Sequence, residues 1–371
     1  MRWNLFKYQR ASHGKKEHLL YSIDTVNNIE VTGWCFDFNC PNNPIRLRFF
    51  MDDREIGETE AILFREDVKS YNLHPTGRCG FEFAMPRNIL IRNHRFLSIL
   101  AGPFNKSIQR ISTLQLPLVM EEPLARIFFM HIPKTAGTSF NAFCRMHFPN
   151  VKTATHIESL PPSVYPDLLK EKSYLSGHLT LRHLKEGFGD FEFDLLSLVR
   201  EPFAHLHSHL RWVKSIAANP KSGFFLKHHP VIQKTALKLK QLDFSDKRQL
   251  QTFARTLSGI EIDFFDNLQT RYFLDYRPEK VTRIDLTRAI TNLSRFRIIG
   301  TTERYDSFIA QVCETYHMEK ILPPVFNKAS GTRLFRYEDP EIRRTLNPLV
   351  EFDRFLYDWI VQSSRLKEVT S

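Results

Sequence analysis

The sequence predicts an α/β protein: a mostly parallel sheet with flanking helices, preceded by a small antiparallel β-sandwich. Three observations predict it. Short runs of alternating apolar and polar residues, separated by turn residues, fill residues 17–116, as in a sandwich of about a hundred residues. Beyond residue 125 the pattern changes to short apolar runs, each followed by a helix-compatible stretch, which reads as parallel strands covered by helices. Between the two, residues 115–123 hold two prolines and two glutamates, a composition that suits a linker, placed at 117–124.

Taken in order, residues 1–16 are basic and read as a disordered tail. In the sandwich region, Ile45, Leu47, Phe49 and Met51 alternate with Arg46, Arg48 and Phe50, and Asp52-Asp53 then offers a turn. Further strands are expected at 31–38, 80–85, 96–100 and 107–114. In the second region, 126–132, 173–177, 194–199 and 296–300 are the strand candidates. A chain of 371 residues with 42% hydrophobic content can bury a sizeable core, and its length suggests two or three domains. Five cysteines at scattered spacings match neither a disulfide framework nor a metal motif, so reduced thiols are expected. No secretory leader and no window approaching ~20 apolar residues is present, so a cytoplasmic protein without a transmembrane segment is expected.

The stretch ARIFFMHIPKTAGTSFNAF, residues 125–143, carries the first motif. An apolar run typical of a buried parallel strand ends at Ile132. Pro133, Lys134, Thr135, Ala136, Gly137, Thr138 and Ser139 then place a rigid turn, a cation, a flexible point and three hydroxyls before a helix. Backbone donors at a helix N-terminus, with a lysine and hydroxyls beside them, suit a phosphate-like anion. The order differs from the GxxxxGK[ST] loop of nucleotide triphosphatases, because Lys134 precedes Gly137.

The second motif is DLLSLVREPFAHLHSHLRW. Arg200 stands at the carboxyl end of a strand, Pro202 suits the first turn of a helix, and Ser208 follows two turns along it. Both side chains are placed to reach one anion. From Arg200 to Arg255 there are eleven Lys and Arg against Glu201, Asp243 and Asp246, a net of 11 − 3 = +8 out of a formal +11. Such a block is a solvated face or a steering surface for an acidic partner.

HIPKTAGTS resembles the 5′-phosphosulfate loop of carbohydrate sulfotransferases that use 3′-phosphoadenosine 5′-phosphosulfate (PAPS). Arg200 and Ser208, eight residues apart, are similar to that family's 3′-phosphate pair. DNLQTRYF, IGTTERYDSF and FDRFLYDWI extend the resemblance from Arg126 to about Ile360, and VTGWCFDF and RCGFEFAMP resemble a β-sandwich module of bacterial glycan-modifying transferases. The resemblance implies a P-loop-like sheet in residues 125–371, PAPS as co-substrate, no metal, and a carbohydrate acceptor, expected to be anionic, rather than nucleic acid. It implies that Lys134 sits on the phosphosulfate bridge and that residues 135–139 hold the 5′-phosphate. His178 in YLSGHLTLRHL matches the second histidine of an HGH-like motif that carries the catalytic base, with Ser176 at the first position. His131 reads as structural or as a residue that supports the site from behind. Asn267 and Arg271, spaced i, i+4, read either as a cap or as part of the nucleotide site, Arg271 being the candidate contact. Residues 327–336 read as a loop with Gly331 as a hinge. A nucleotide-dependent kinase and an inactive glycan-binding protein are the alternatives; the first lacks a GK[ST] loop.

Overall fold

In the computed structural model, residues 18–86, 89, 91–103, 105–116, 118–119, 126–189, 192–320 and 333–370 are described, 364–370 by backbone alone. The expected tail and most of the expected linker lie outside them. The chain divides into two compact units. One comprises the described residues up to 119 together with Ala142–Val151; the other holds those from 126 to Asn141, Lys152–Lys320 and those from 333 onward.

The first unit contains strands β1 (Leu19–Val26), β2 (Glu30–Asp37), β3 (Arg46–Met51), β4 (Arg54–Glu60), β5 (Leu63–Phe64), β6 (Arg78–Ala84), β7 (Phe96–Ala101) and β8 (Lys106–Ser112), with helix α1 (Glu66–Ser70). They form two antiparallel sheets, ordered β1-β2-β6-β5 and β4-β3-β7-β8. Alternation puts Leu47, Phe49 and Met51 on one face of β3, where they share a core with Val31, Phe81 and Phe83 of the other sheet. Phe49 stacks on Phe83 with ring centroids 3.9 Å apart. Strand β2 is nearly all buried because Trp34 and Phe36, on its other face, pack with Val68 of α1. The Asp52-Asp53 turn forms as expected, and the Asp52 carboxylate accepts the N–H groups of Arg95 and Phe96. Strands β1, β4 and β5 were not expected. The first unit also takes in residues from the end of α2 onward: the buried Glu30 carboxylate accepts the Asn150 N–H at 2.7 Å.

The second unit contains strands β9 (Ile127–Met130), β10 (Thr153–Thr155), β11 (Tyr174–Gly177), β12 (Asp194–Val199) and β13 (Phe296–Thr301). Its helices are α2 (Gly137–Arg145), whose last residues belong to the first unit, α3 (Tyr165–Glu171), α4 (Leu181–Phe188), α5 (Pro202–Ile216), α6 (Gly223–Leu226), α7 (Pro230–Gln241), α8 (Lys247–Arg255), α9 (Ile260–Phe265), α10 (Leu268–Tyr272), α11 (Arg283–Asn292), α12 (Tyr305–Thr315), α13 (Pro340–Leu346) and α14 (Glu351–Thr370). The sheet is wholly parallel, in the order β10-β11-β9-β12-β13. Strand β9 is buried at every position, since Phe128 and Met130 face α4, α11 and α14 while Phe129 meets Phe140 of α2. Phe140 in turn meets Phe308 of α12, so helices cover both faces. A second core joins α5 to α9 and α13 into a helical lobe.

This strand order has a point of divergence. The chain leaves β9 toward β10 on one side, returns through β11, and then crosses to β12 on the other side. The loops after β9 and β12 therefore diverge, and in open parallel sheets the crevice at such a point, beyond the carboxyl ends, is where ligands bind. Lys134 follows β9 and Arg200 follows β12.

Candidate active site

The loop from His131 to Ala136 is held from outside by its own carbonyls. His178 Nδ1–H donates to the His131 carbonyl at 2.6 Å, the Thr135 hydroxyl to Ile132 at 2.8 Å, His205 Nε2–H to Pro133 at 2.8 Å, and Arg200 Nη1 to Lys134 at 3.3 Å. Lys134 and Ala136 take left-handed backbone angles, φ 69° and 64°. Alternating hands turn successive N–H groups to one concave side, as in a nest for an anion; the Ser139 N–H donates to the Ala136 carbonyl at 3.0 Å, so at the start of α2 it is the N–H groups of Gly137 and Thr138 that precede the first helical bonds. Gly137 is required for a different reason. A Cβ there would stand 2.1 Å from the His131 ring, which fills the space behind the loop. His131 is buried between Phe129 and His178, with ring centroids 5.7 and 4.2 Å away, and burial holds it neutral.

Cations converge on this nest. Burial lowers the Lys134 pKa, and the charges of Arg200 and Arg211 lower it further. Ser208 lies on α5 one turn beyond His205, whose side chain meets the loop, and Arg211 follows one turn further, near enough for its charge to act on Lys134. Glu201 caps α5 through Ala204 N–H at 2.7 Å, and its other oxygen pairs with Arg343 at 2.9 Å. Ser139 is buried in the first turn of α2 and Thr138 is exposed.

His178 faces the same loop from the β11 side. Burial lowers its pKa, opposed by the Glu158 charge and the bond to His131, so the imidazole is neutral at physiological pH. With Nδ1 carrying the proton, Nε2 presents a lone pair. The His178 backbone N–H donates to Glu158 at 3.0 Å, and His156 Nδ1 lies 3.2 Å from the other oxygen of that carboxylate.

Two expectations need correction. Arg271 is not brought to the nest. Its guanidinium donates to the Asp266 carbonyl and carboxylate, to Asp263, and to the carbonyls of Pro278 and Glu279. Those are five bonds for five N–H donors, which leaves none for a nucleotide. The Thr135 hydroxyl donates within the loop, so only its backbone N–H remains for an anion. Asn267 is a cap: its side chain accepts the Phe352 and Asp353 N–H groups at the start of α14.

The chain matches no family model and no curated protein.

Gln269 and His205 were not singled out in the sequence, yet they position the site. Gln269 holds the Arg200 backbone and His205 holds the Pro133 carbonyl. The signal for His205 was present: three histidines, His205, His207 and His209, crowd the first half of one helix. His207 Nε2 accepts the Leu334 N–H at 3.1 Å, which seats the described end of the 327–336 segment against α5; residues 327–332 lie outside the described residues. Several lysines of the basic segment lie against aromatic rings of the helical lobe, Lys214 over Phe244 and Lys238 over Phe253, whereas Lys221, Lys234 and Lys240 are exposed. Among the described residues no helix is long and apolar enough to cross a membrane.

Proposed function

We propose that the second unit is a PAPS-dependent O-sulfotransferase of P-loop-like fold, acting on a hydroxyl of an anionic carbohydrate. One observation carries the reading. The cations of the two sequence motifs meet at the point where the loops diverge, with Arg200 bonded to the Lys134 carbonyl, and a neutral histidine is tied to the same loop through His131.

In this reaction the acceptor oxygen attacks sulfur in line. The bond between sulfur and the bridging oxygen breaks, leaving adenosine 3′,5′-bisphosphate, and the hydroxyl proton passes to His178 Nε2. The protein supplies position and charge rather than covalent chemistry. Lys134 stabilises negative charge as it grows on the leaving phosphate, backbone N–H groups of 135–138 bind the 5′-phosphate, and Arg200 with Ser208 binds the 3′-phosphate. The fixed Nδ1–H bond of His178 sets the tautomer that a general base needs. Arg271 has no part in it.

The exposed lysines of the helical lobe favour an acidic acceptor such as a uronic acid polymer, their attraction screened over about 8 Å at physiological ionic strength. Incubating the protein with PAPS and paired acidic and neutral polysaccharides, followed by mass spectrometry, tests the reading. Sulfuryl addition to the acidic member, with an acceptor affinity that falls with salt, is expected. Replacing Lys234, Lys238 and Lys240 together by glutamine should flatten the salt dependence. Transfer to neutral glycans alone would remove the acidic acceptor from the account.

A further inference from the structure

We propose that His156, Glu158 and His178 form a site for a transition-metal dication of the zinc class, distinct from anything the transfer itself requires. Strands β10 and β11 are adjacent and parallel, with Thr155 opposite Ser176, so the residues just beyond their carboxyl ends emerge side by side. His156 adopts a left-handed φ of 57° and opens a tight turn, closed by the Ser159 N–H and hydroxyl on the His156 carbonyl. Two residues on, Glu158 comes back against the β11 end. Gly177 permits this approach, because a Cβ there would stand 3.0 Å from a Glu158 carboxylate oxygen. One ligand atom from each of the three side chains lies within 4.8 Å of the others.

The surroundings of these ligands suit a metal. His178 donates its Nδ1–H to the His131 carbonyl, the outer bond that orients a ligating imidazole and leaves Nε2 for the ion. One Glu158 oxygen is anchored by the His178 N–H and the other is turned to His156. Two imidazoles and one carboxylate, with His156 exposed to solvent, make three protein ligands and an open position. This donor set selects zinc, cobalt or nickel over magnesium and calcium, which require mostly oxygen ligands. An ion on His178 Nε2 occupies the lone pair that a base would use, so zinc should inhibit transfer. That consequence rests on the sulfotransferase reading; the binding does not.

The test is calorimetric titration of the chelator-stripped full chain with ZnCl2, with Co2+ absorption as a second probe. One zinc per chain and visible ligand-field bands with Co2+ are expected, with no competition from magnesium. His156→Ala, Glu158→Gln and His178→Gln should each weaken zinc binding at least about 10-fold, a loss already reached when outer-shell partners are removed. Replacing the exposed His317 by alanine should leave it unchanged. At one zinc concentration the melting temperature of the parent should rise by more than that of Glu158→Gln, whatever the metal-free stability of that variant. Unchanged affinity in His156→Ala and Glu158→Gln, or no binding by the stripped parent, overturns the site. Zinc binding without any binding of 3′-phosphorylated nucleotide would sustain this site and defeat the transferase reading.

Discussion

The Gln269 side chain pairs with both backbone polar groups of Arg200, accepting its N–H at 2.8 Å and donating to its carbonyl at 2.9 Å. Arg200 is thereby fixed at the end of β12 by a residue from α10. The start of α10 is itself fixed, since Asp353 accepts the N–H groups of Gln269 and Thr270 while Asn267 caps α14 in return. The arginine that faces the nest is as well placed as this chain of bonds is rigid.

Gln269→Ala leaves two backbone groups of Arg200 without partners, at a cost of about 1–3 kcal/mol each where they are shielded from water. The variant should lose preference for adenosine 3′,5′-bisphosphate over adenosine 5′-monophosphate. Titration of both nucleotides against parent and variant measures this, with a melting curve to account for lost stability. An unchanged preference would mean that Gln269 does not position Arg200 for the 3′-phosphate.

Lys134→Ala and Arg200→Ala should fail differently. Loss of Lys134 should lower kcat by about 10²- to 10³-fold, as for removal of one donor to a developing charge, with a smaller effect on product-nucleotide affinity. Loss of Arg200 should chiefly weaken binding of nucleotides that carry a 3′-phosphate. Steady-state kinetics beside calorimetry separates the two, and a Lys134→Ala variant with parental kcat would contradict its assignment.

His178→Gln preserves approximate volume and removes the base. Turnover should fall by about 10²- to 10⁴-fold with nucleotide affinity nearly unchanged. Near-parental turnover would transfer the proton-accepting role to another group.

Asp353 links stability to pH. It is fully enclosed, and burial pushes its carboxyl up to about 7, against the bonds from Thr270 and Gln269 that favour the charged form. An acid whose folded-state pKa exceeds its unfolded value holds its proton more tightly when folded. Its contribution is therefore complete below about pH 4, the unfolded value, and is lost as pH rises through about 7. Between about pH 5 and about pH 8 the buried neutral histidines make the urea midpoint rise with pH while Asp353 opposes that rise, so the midpoint of Asp353→Asn should rise more steeply than that of the parent. Equal slopes in both proteins would show that Asp353 does not oppose the rise.

Much of the site was legible because its signals are local. An apolar run ending at HIPKTAGTS, and another ending at Arg200, mark two buried parallel strands with polar residues at their carboxyl ends, and the structure sets those strands side by side. What failed was information carried by tertiary packing. For Asn267 and Arg271 the sequence left a cap and a nucleotide contact both open: Asn267 precedes α10 with φ 48° and is a cap, of another helix, while Arg271 turns to Asp263 and Asp266. Between them, Gln269 is the residue that reaches Arg200, and nothing in its immediate sequence says which side of so short a helix meets β12. Strand β10 is three residues long, too short for an alternating pattern, so the His156 and Glu158 turn beyond it carried no signal either.

Calorimetric titration of the full chain with adenosine 3′,5′-bisphosphate, set against ATP with magnesium, decides whether the second unit binds a PAPS-type nucleotide. Saturable binding of the bisphosphate without added metal, weakened by Arg200→Ala, is expected, with much weaker binding of ATP. Tight magnesium-dependent binding of ATP, with none of the bisphosphate, would contradict the sulfotransferase reading.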